Sequence, residues 1–133
     1  CNVLIIDAGT CITYDFVNAK KKYFGGAISP GIKMRFKALH EFTNGLPLLE
    51  LEVDIKLTGG TTNESIQSGV VIGVISEIDS FINMYREKNT DLTVVLTGGD
   101  VKFLAKRLKN TIFANPNFLL EGLNHILTYN ISK

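Results

Sequence analysis

Near its start the chain reads Val3-Leu4-Ile5-Ile6-Asp7-Ala8-Gly9-Thr10. Four apolar residues in succession predict a strand that is buried on both faces of a sheet. The run ends in a carboxylate, a glycine that lets the backbone turn, and a threonine hydroxyl. A strand of this kind needs helices packed on its sheet, so these eight residues favour an α/β fold.

The segment that follows this turn predicts two more strands and a helix. Residues 12–17 alternate and are rich in β-branched and aromatic side chains, and residues 22–28 form a third strand after a short turn. Ser29 and Pro30 then favour the start of a helix, with Ser29 as its cap and Pro30 in its first turn. We expect this helix to end near Gly45.

The second half of the chain alternates helices and strands. Residues 46–57 are ambiguous, an extended connection with at most a short strand near residues 51–55. Thr61 and Glu64 have the spacing of a capping box, which predicts the start of a long helix. A second buried strand is predicted at residues 92–96, because this run is again apolar.

Three shorter elements complete the predicted order, which is βββα, the ambiguous segment, and then αβαβα. Asp100 is expected to cap a helix that runs through Leu108, and residues 111–114 to form a short strand. A last helix is expected to begin at Asn115-Pro116. Its inward-facing side chains are predicted to be Leu119, Leu120, Leu123 and Leu127.

The connections between these elements predict the topology. Three strands joined by short turns favour an antiparallel meander, whereas strands separated by helices require parallel crossovers. The predicted fold is therefore a single α/β domain over residues 1–133, with a mixed sheet in the ribonuclease H-like arrangement.

Composition excludes several classes of function. The 133 residues carry 14 Lys and Arg against 13 Asp and Glu, a net charge of +1, so no positive field attracts nucleic acid or an anionic membrane. The apolar runs are too short to span a bilayer. Cys1 and Cys11 lack the spacing of metal ligands, and as free thiols they fit a reducing cytoplasm.

Two turns carry residues suited to binding charged groups. Asp7 at a strand end is a natural cation site, and the amides of Gly9 and Thr10 with the threonine hydroxyl can hold a phosphate oxygen; the alternative is a plain hairpin turn. Gly98-Gly99, after the strand at residues 92–96, allows close approach of a nucleotide, or is simply a tight turn before a helix.

Two further glycine-rich segments are candidates for the same cleft. Thr61 is best explained as a helix cap, which leaves the Thr62 hydroxyl as a polar site for a substrate. Residues 25–31 contain three glycines and a proline, which is costly unless the backbone must approach another group there. We expect the glycine-bearing turns to face one cleft.

Four ordered motifs give the chain a family resemblance. They are Asp7-Ala8-Gly9-Thr10-Cys11-Ile12-Thr13-Tyr14-Asp15, Gly25-Gly26-Ala27-Ile28-Ser29-Pro30-Gly31, Thr62 followed by Ile66-Gln67-Ser68-Gly69, and Thr97-Gly98-Gly99. In this order and spacing they resemble the type III pantothenate kinases of the acetate and sugar kinase/Hsp70/actin superfamily. Some relatives in that family are labelled Bvg accessory factor-type transcriptional activators.

The resemblance implies roles for individual residues. Asp7 would bind a monovalent cation, K⁺ or NH₄⁺. Gly9, Thr10, Gly98 and Gly99 would contact ATP, which carries Mg²⁺, and Thr62 would contact pantothenate. The resemblance also implies a cytoplasmic homodimer, and Phe36, Phe42 and Leu46 are candidates for part of the contact between the two copies.

Two family motifs do not occur in these residues. The first is D-x-G-N-T, which binds phosphate, and the second is G-x-D-R, whose aspartate is the catalytic base. We therefore expect the chain to be the C-terminal half of a longer two-domain kinase, with no catalytic residue of its own and no activity alone. The alternatives are a non-catalytic regulatory or transcriptional accessory protein on the same scaffold, or a kinase of the superfamily with another small substrate.

Overall fold

The chain folds into a five-stranded mixed sheet with helices packed on it. The structure, a computed structural model, describes residues 1–117. The elements are β1 (Asn2–Ala8), β2 (Cys11–Val17), β3 (Tyr23–Pro30), α1 (Ile32–Glu41), α2 (Thr62–Lys88), β4 (Leu92–Thr97), α3 (Val101–Ala105) and β5 (Phe113–Ala114). The strand order in the sheet is β3-β2-β1-β4-β5.

β1 lies at the centre of the sheet, as a continuous apolar strand near the start of the chain predicts. It pairs antiparallel with β2, and β2 pairs antiparallel with β3, so the predicted meander is confirmed. It pairs in parallel with β4, which pairs in parallel with β5, so the predicted crossovers are confirmed as well. The fold is therefore of the mixed α/β class.

Burial alternates along β1, which differs from the prediction of a strand buried on both faces. Leu4, Ile6 and Ala8 are buried, whereas Val3 and Ile5 keep partial exposure among the described residues. The buried face packs against α2, whose inward stripe joins the same hydrophobic cluster. The buried residues of that stripe are Ile66, Val70, Val71, Val74, Ile78 and Ile82.

α2 begins at the predicted capping box. The Thr61 hydroxyl oxygen accepts a hydrogen bond from the Glu64 amide at 3.1 Å, and the Glu64 carboxylate accepts one from the Gly60 amide at 3.1 Å. By length and composition α2 could cross a membrane, but 44% of its most apolar window is buried inside the fold. That burial is expected of the central core helix of a globular domain.

The predicted start of α1 is wrong by two residues. Ser29 and Pro30 are the last residues of β3 and pair with Ile12 and Cys11. Proline is tolerated there because β3 is an edge strand. Gly31 occupies the cap position without a side-chain cap, and the Ser29 hydroxyl instead donates to Glu77.

Other predicted boundaries also change. The described residues 46–57 contain no strand, although several of their leucines pack against the core. α3 ends at Ala105 rather than Leu108, and Asp100 occupies its cap position without a side-chain hydrogen bond to the helix. The last predicted helix, from Asn115 with its four inward leucines, lies outside the described residues.

Candidate functional site

The turns after β1 and β4 meet because the two strands are parallel neighbours that end at the same edge. Asp7 is paired with Thr97 of β4, and the Asp100 amide donates to the Ala8 carbonyl at 3.0 Å. Gly98 fits between them at φ +102; a Cβ there would lie 2.5 Å from the Ala8 carbonyl oxygen and 2.6 Å from Asp7 Oδ1. Only glycine allows this approach of the two turns.

The start of α1 is attached to the same region. The Gly31 amide donates to the Thr10 carbonyl at 3.0 Å. A Cβ on Gly31 would collide with the carbonyls of Gly9 and Thr10, and one on Gly26 with the carbonyl of Tyr14. Gly26 and Gly31 therefore allow close contact between β3, β2 and the turn after β1. This packing explains two of the three glycines of residues 25–31 without a bound ligand.

A cavity of about 610 Å³ opens beside these turns, and we call it the charged cavity. Its lining residues are Gly9, Thr10, Lys33, Met34, Lys37, Gly99 and Asp100. Burial raises the pKa of Asp100, and the nearby Lys33 ammonium opposes that shift only in part. The side chain of Thr10 is exposed, so its hydroxyl is accessible to a ligand.

Thr62 lines a different cavity, of about 920 Å³, between α1 and α2. We call it the apolar cavity. Its lining residues are Arg35, Ala38, Leu39, Phe42, Thr43, Leu46, Gly59, Gly60, Thr61, Thr62, Ser65, Ile66, Gly69 and Val70. Phe42 is 87% exposed, whereas Phe36 is 2% exposed and belongs to the core. The expectation that Phe36 contributes to a contact between copies is therefore wrong.

The two cavities lie on different faces of α1. Lys33 and Lys37 are one turn apart and line the charged cavity, whereas Arg35, Leu39 and Phe42 line the apolar cavity. At 3.6 residues per turn these two sets are centred roughly 170° apart around the helix axis. Thr62 therefore lines a different cavity from Thr10 and Gly99, whose turns share one cavity.

A carboxylate that the sequence analysis missed fixes α1 between the two cavities. Glu77 of α2 accepts hydrogen bonds from Tyr14 Oη at 2.7 Å, from Ser29 Oγ at 2.7 Å and from Arg35 Nη2 at 2.8 Å. Arg35 Nε also donates to the Pro30 carbonyl at 2.8 Å. The cluster joins β2, β3, α1 and α2, and no local sequence pattern reports it because its members are up to 63 positions apart.

These hydrogen bonds change the titration of the groups involved. Burial acts to raise the pKa of Glu77, but the hydrogen bonds from Tyr14, Ser29 and Arg35 outweigh it and hold that pKa below its ordinary value. Burial, helped by the Glu77 carboxylate, raises the pKa of Tyr14 far above its ordinary value. Glu77 is therefore ionised and Tyr14 neutral at neutral pH.

The groups around Asp7 are oxygen donors. Within residues 1–117 no group of three or more His, Cys, Asp or Glu side chains could hold a metal ion. The Asp7 carboxylate has no hydrogen bond or ion pair to another described residue, and it faces the turn at Gly98 together with the Ala8 carbonyl. A carboxylate and a carbonyl are oxygen donors, the ligand type that hard cations prefer.

Comparison with known proteins identifies the family. A family model described as type III pantothenate kinase matches residues 1–84. The chain belongs to the type III pantothenate kinase family. That model covers β1 through most of α2, and therefore includes Asp7, Thr10 and Thr62.

Curated type III pantothenate kinases match nearly all of the chain. It is 58% identical to the protein of Flavobacterium psychrophilum over 128 residues, 96% of this chain and 53% of that protein. It is 55% identical to that of Flavobacterium johnsoniae over 132 residues, 99% of this chain and 54% of that protein. The chain thus spans about half the length of the curated relatives it matches.

A solved structure from Campylobacter jejuni has the same fold. It is described as a conserved member of the Baf family of transcriptional activators. The TM-score is 0.67 with 23% sequence identity, over 99% of this chain and 60% of that chain. At this identity the likeness extends to the fold alone, whereas the kinase family rests on the sequence matches.

Proposed function

We propose that the complete protein is a pantothenate kinase. It transfers the terminal phosphoryl group of ATP to pantothenate and forms 4′-phosphopantothenate, the first step of coenzyme A biosynthesis. This chain would be its C-terminal half, a ribonuclease H-like domain of the acetate and sugar kinase/Hsp70/actin superfamily. The family membership supports the activity, and the order of strands in the mixed sheet supports the domain type.

The convergence of the two turns carries this proposal. The turn of Gly9 and Thr10 and the turn of Gly98 and Gly99 meet at the ends of parallel strands, where ligands of α/β sheets gather. The Gly9 amide donates to the Cys11 carbonyl at 3.0 Å, so the Thr10 amide and hydroxyl are the groups of the first turn that would hold phosphate oxygens. The glycines of the second turn would lie against the nucleoside. The exposed Thr10 side chain in the charged cavity supports this orientation.

Asp7 would hold the monovalent cation, K⁺ or NH₄⁺, with its carboxylate and the neighbouring backbone oxygens. Such a cation would offset negative charge where the phosphates gather. Mg²⁺ would arrive with ATP, because it is usually held by substrate phosphates together with one or two carboxylates.

Pantothenate would contact Thr62 in the apolar cavity. The walls of Leu39, Phe42 and Ile66 suit its dimethyl group, and the exposed Thr62 hydroxyl supplies a hydrogen bond. Because this cavity is separated from the charged cavity by α1, Thr62 would serve a transfer site completed by a second copy of the chain. The exposed ring of Phe42 at the cavity supports a homodimer with that contact.

The chain by itself would not catalyse the transfer. Phosphoryl transfer depends on positioning and charge stabilisation from both sides of the phosphates, together with an acceptor for the hydroxyl proton. The family motifs that supply the base and the first phosphate loop do not occur in the 133 residues. We also infer a cytoplasmic location, where free Cys1 and Cys11 suit a reducing compartment.

A coupled assay of ADP release tests the proposal on the complete protein, with the separate 133-residue chain beside it. We expect pantothenate-dependent turnover stimulated by K⁺ in the complete protein and none in the separate chain. Asp7→Asn should remove most of the K⁺ stimulation, with Asp15→Asn as the control, since Asp15 accepts a hydrogen bond from Tyr23 away from both cavities. Without pantothenate-dependent ADP release from the complete protein, the kinase assignment fails and an accessory role takes its place.

A further inference from the structure

The charged cavity contains two cations that none of the resembling motifs includes. Lys33 and Lys37 of α1 line it together with Thr10 and Gly99. Their spacing of four residues places them on one face of α1, one turn apart. The backbone contact between Gly31 and Thr10 holds the start of α1 against the turn after β1. Both ammonium groups therefore belong to a helix fixed relative to that turn.

Neither lysine forms an ion pair within the described part of the chain. The two ion pairs there join Arg35 to Glu77 and Lys56 to Glu64. Arg35, on the other face of α1, is thus the basic residue of this helix that is paired with a carboxylate. Asp100 is the single acidic residue lining the charged cavity, so the lysines that line it outnumber the carboxylates by one.

We propose that Lys33 and Lys37 bind the β- and γ-phosphates of the nucleotide in the charged cavity. The inference rests on the proposed kinase function and names residues that set the preference of its nucleotide site for polyphosphates. Lysine suits phosphate binding because its compact ammonium group, on a flexible side chain, can adjust its position to the phosphate oxygens. The Thr10 amide and hydroxyl would hold one side of the polyphosphate and the two ammonium groups the other.

Nucleotides that differ only in phosphate number provide the test. The affinities of ATP, ADP and AMP for the complete protein are measured by calorimetry for wild type, Lys33→Ala, Lys37→Ala and the double variant. We expect each single change to weaken ATP and ADP by roughly three- to tenfold and to leave AMP within about twofold, since only the outer phosphates lose a charge-assisted bond. Lys33→Arg should keep most of the affinity for ATP.

Lys20→Ala is the matched control, because Lys20 is an exposed lysine in the turn before β3 and lines neither cavity. It removes the same charge and should leave all three affinities unchanged. Equal weakening of AMP and ATP, or no change of either in the double variant, would overturn the assignment of the lysines. If wild type binds none of the three nucleotides, the proposed kinase function fails and the lysine assignment fails with it.

Discussion

The two faces of α1 differ in almost every property that matters for binding. One face presents Lys33 and Lys37 to a cavity bordered by glycine turns, and the other presents Leu39 and Phe42 to a larger apolar cavity. Both cavities are bordered by a glycine-threonine segment of the sequence. Two similar glycine-threonine segments therefore border different cavities, because α1 lies between them and presents lysines on one side and apolar side chains on the other.

The glycines beside the two cavities differ in how closely other backbone approaches them. On the charged side the turns touch, so that a Cβ on Gly98 would collide with the Ala8 carbonyl and the Asp7 carboxylate. On the apolar side a Cβ on Gly69 would meet no atom within 4 Å, because the space beside it is open. Gly59, which also lines the apolar cavity, differs from Gly69, because a Cβ on Gly59 would lie 2.4 Å from the Ser65 amide nitrogen. Each cavity therefore has beside it one glycine that close backbone packing requires.

The largest effect is expected at Gly98. Gly98→Ala forces a side chain onto a positive φ and into the Ala8 carbonyl, and should lower the free energy of unfolding by about 3 kcal/mol. Gly99→Ala is the matched control, because a Cβ there meets nothing within 4 Å, and it should change stability by less than about 0.5 kcal/mol. Urea unfolding of both variants measures the difference. Equal stabilities would show that the two turns can separate at little cost.

The second-largest loss of stability is expected at Glu77, whose hydrogen bonds hold α1 between the cavities. Glu77→Gln replaces an ionised acceptor of three hydrogen bonds, and should lower the free energy of unfolding by about 2 kcal/mol at pH 7. Glu87→Gln, at an exposed position of the same helix, is the control and should have little effect. Urea unfolding measures the stability of both variants. An unchanged midpoint for Glu77→Gln would mean that the three donors find water as acceptor at no cost in stability.

The same cluster predicts a dependence on pH. The folded pKa of Glu77 lies below its ordinary value, and the unfolded value is about 4.3. Its stabilisation is therefore complete above the unfolded pKa and is lost as the pH falls through the lower, folded pKa. Unfolding measured from pH 7 down to pH 3 should show wild type and Glu77→Gln converging in acid. A constant difference over that range would contradict the role assigned to the carboxylate charge.

On the apolar side the two adjacent threonines should separate structure from binding. Thr61→Ala removes the hydrogen bond to the Glu64 amide and should cost about 1 kcal/mol of stability. Thr62→Ala should cost little stability but raise the KM for pantothenate of the complete protein roughly two- to tenfold, the loss of one neutral hydrogen bond. Thermal melts of both variants measure stability, and kinetics of both measure the KM for pantothenate. An unchanged KM for Thr62→Ala would remove Thr62 from the substrate site.

The smallest effect is expected at Asp100, on the charged side. Burial raises its folded pKa, so the charged carboxylate costs stability, and this cost grows as the pH rises through that pKa. Asp100→Asn should therefore raise the free energy of unfolding at pH 7 by about 0.5 kcal/mol, with no gain in acid below the ordinary pKa. Melts at pH 7 and pH 3 measure this difference. A loss of stability at pH 7 would show that the carboxylate supports α3.

Much of the fold follows from patterns within a few residues of one another. The apolar run at Val3, the capping box at Thr61 and the strand that begins at Leu92 are all local patterns, and each element is found where the pattern predicts it. The start of α1 differs from its prediction because Ser29 has two competing local uses, a helix cap or a strand end. Its hydrogen bond to Glu77, which comes from a distant helix, selects the second.

In the candidate site, too, some features follow from local sequence patterns and others from contacts between distant residues. The sequence by itself determined the family and the central parallel and antiparallel strands. It also determined the place of Asp7 near the end of β1 and of the turns that carry Thr10 and Gly98, because glycines, caps and apolar periodicity act through neighbouring backbone. Only the tertiary structure decided that Thr62 lies apart from Thr10, since packing sets the face of a helix that each cavity meets. It also decided the environment of Glu77, whose three hydrogen-bond donors come from parts of the chain that fold together only when the core forms.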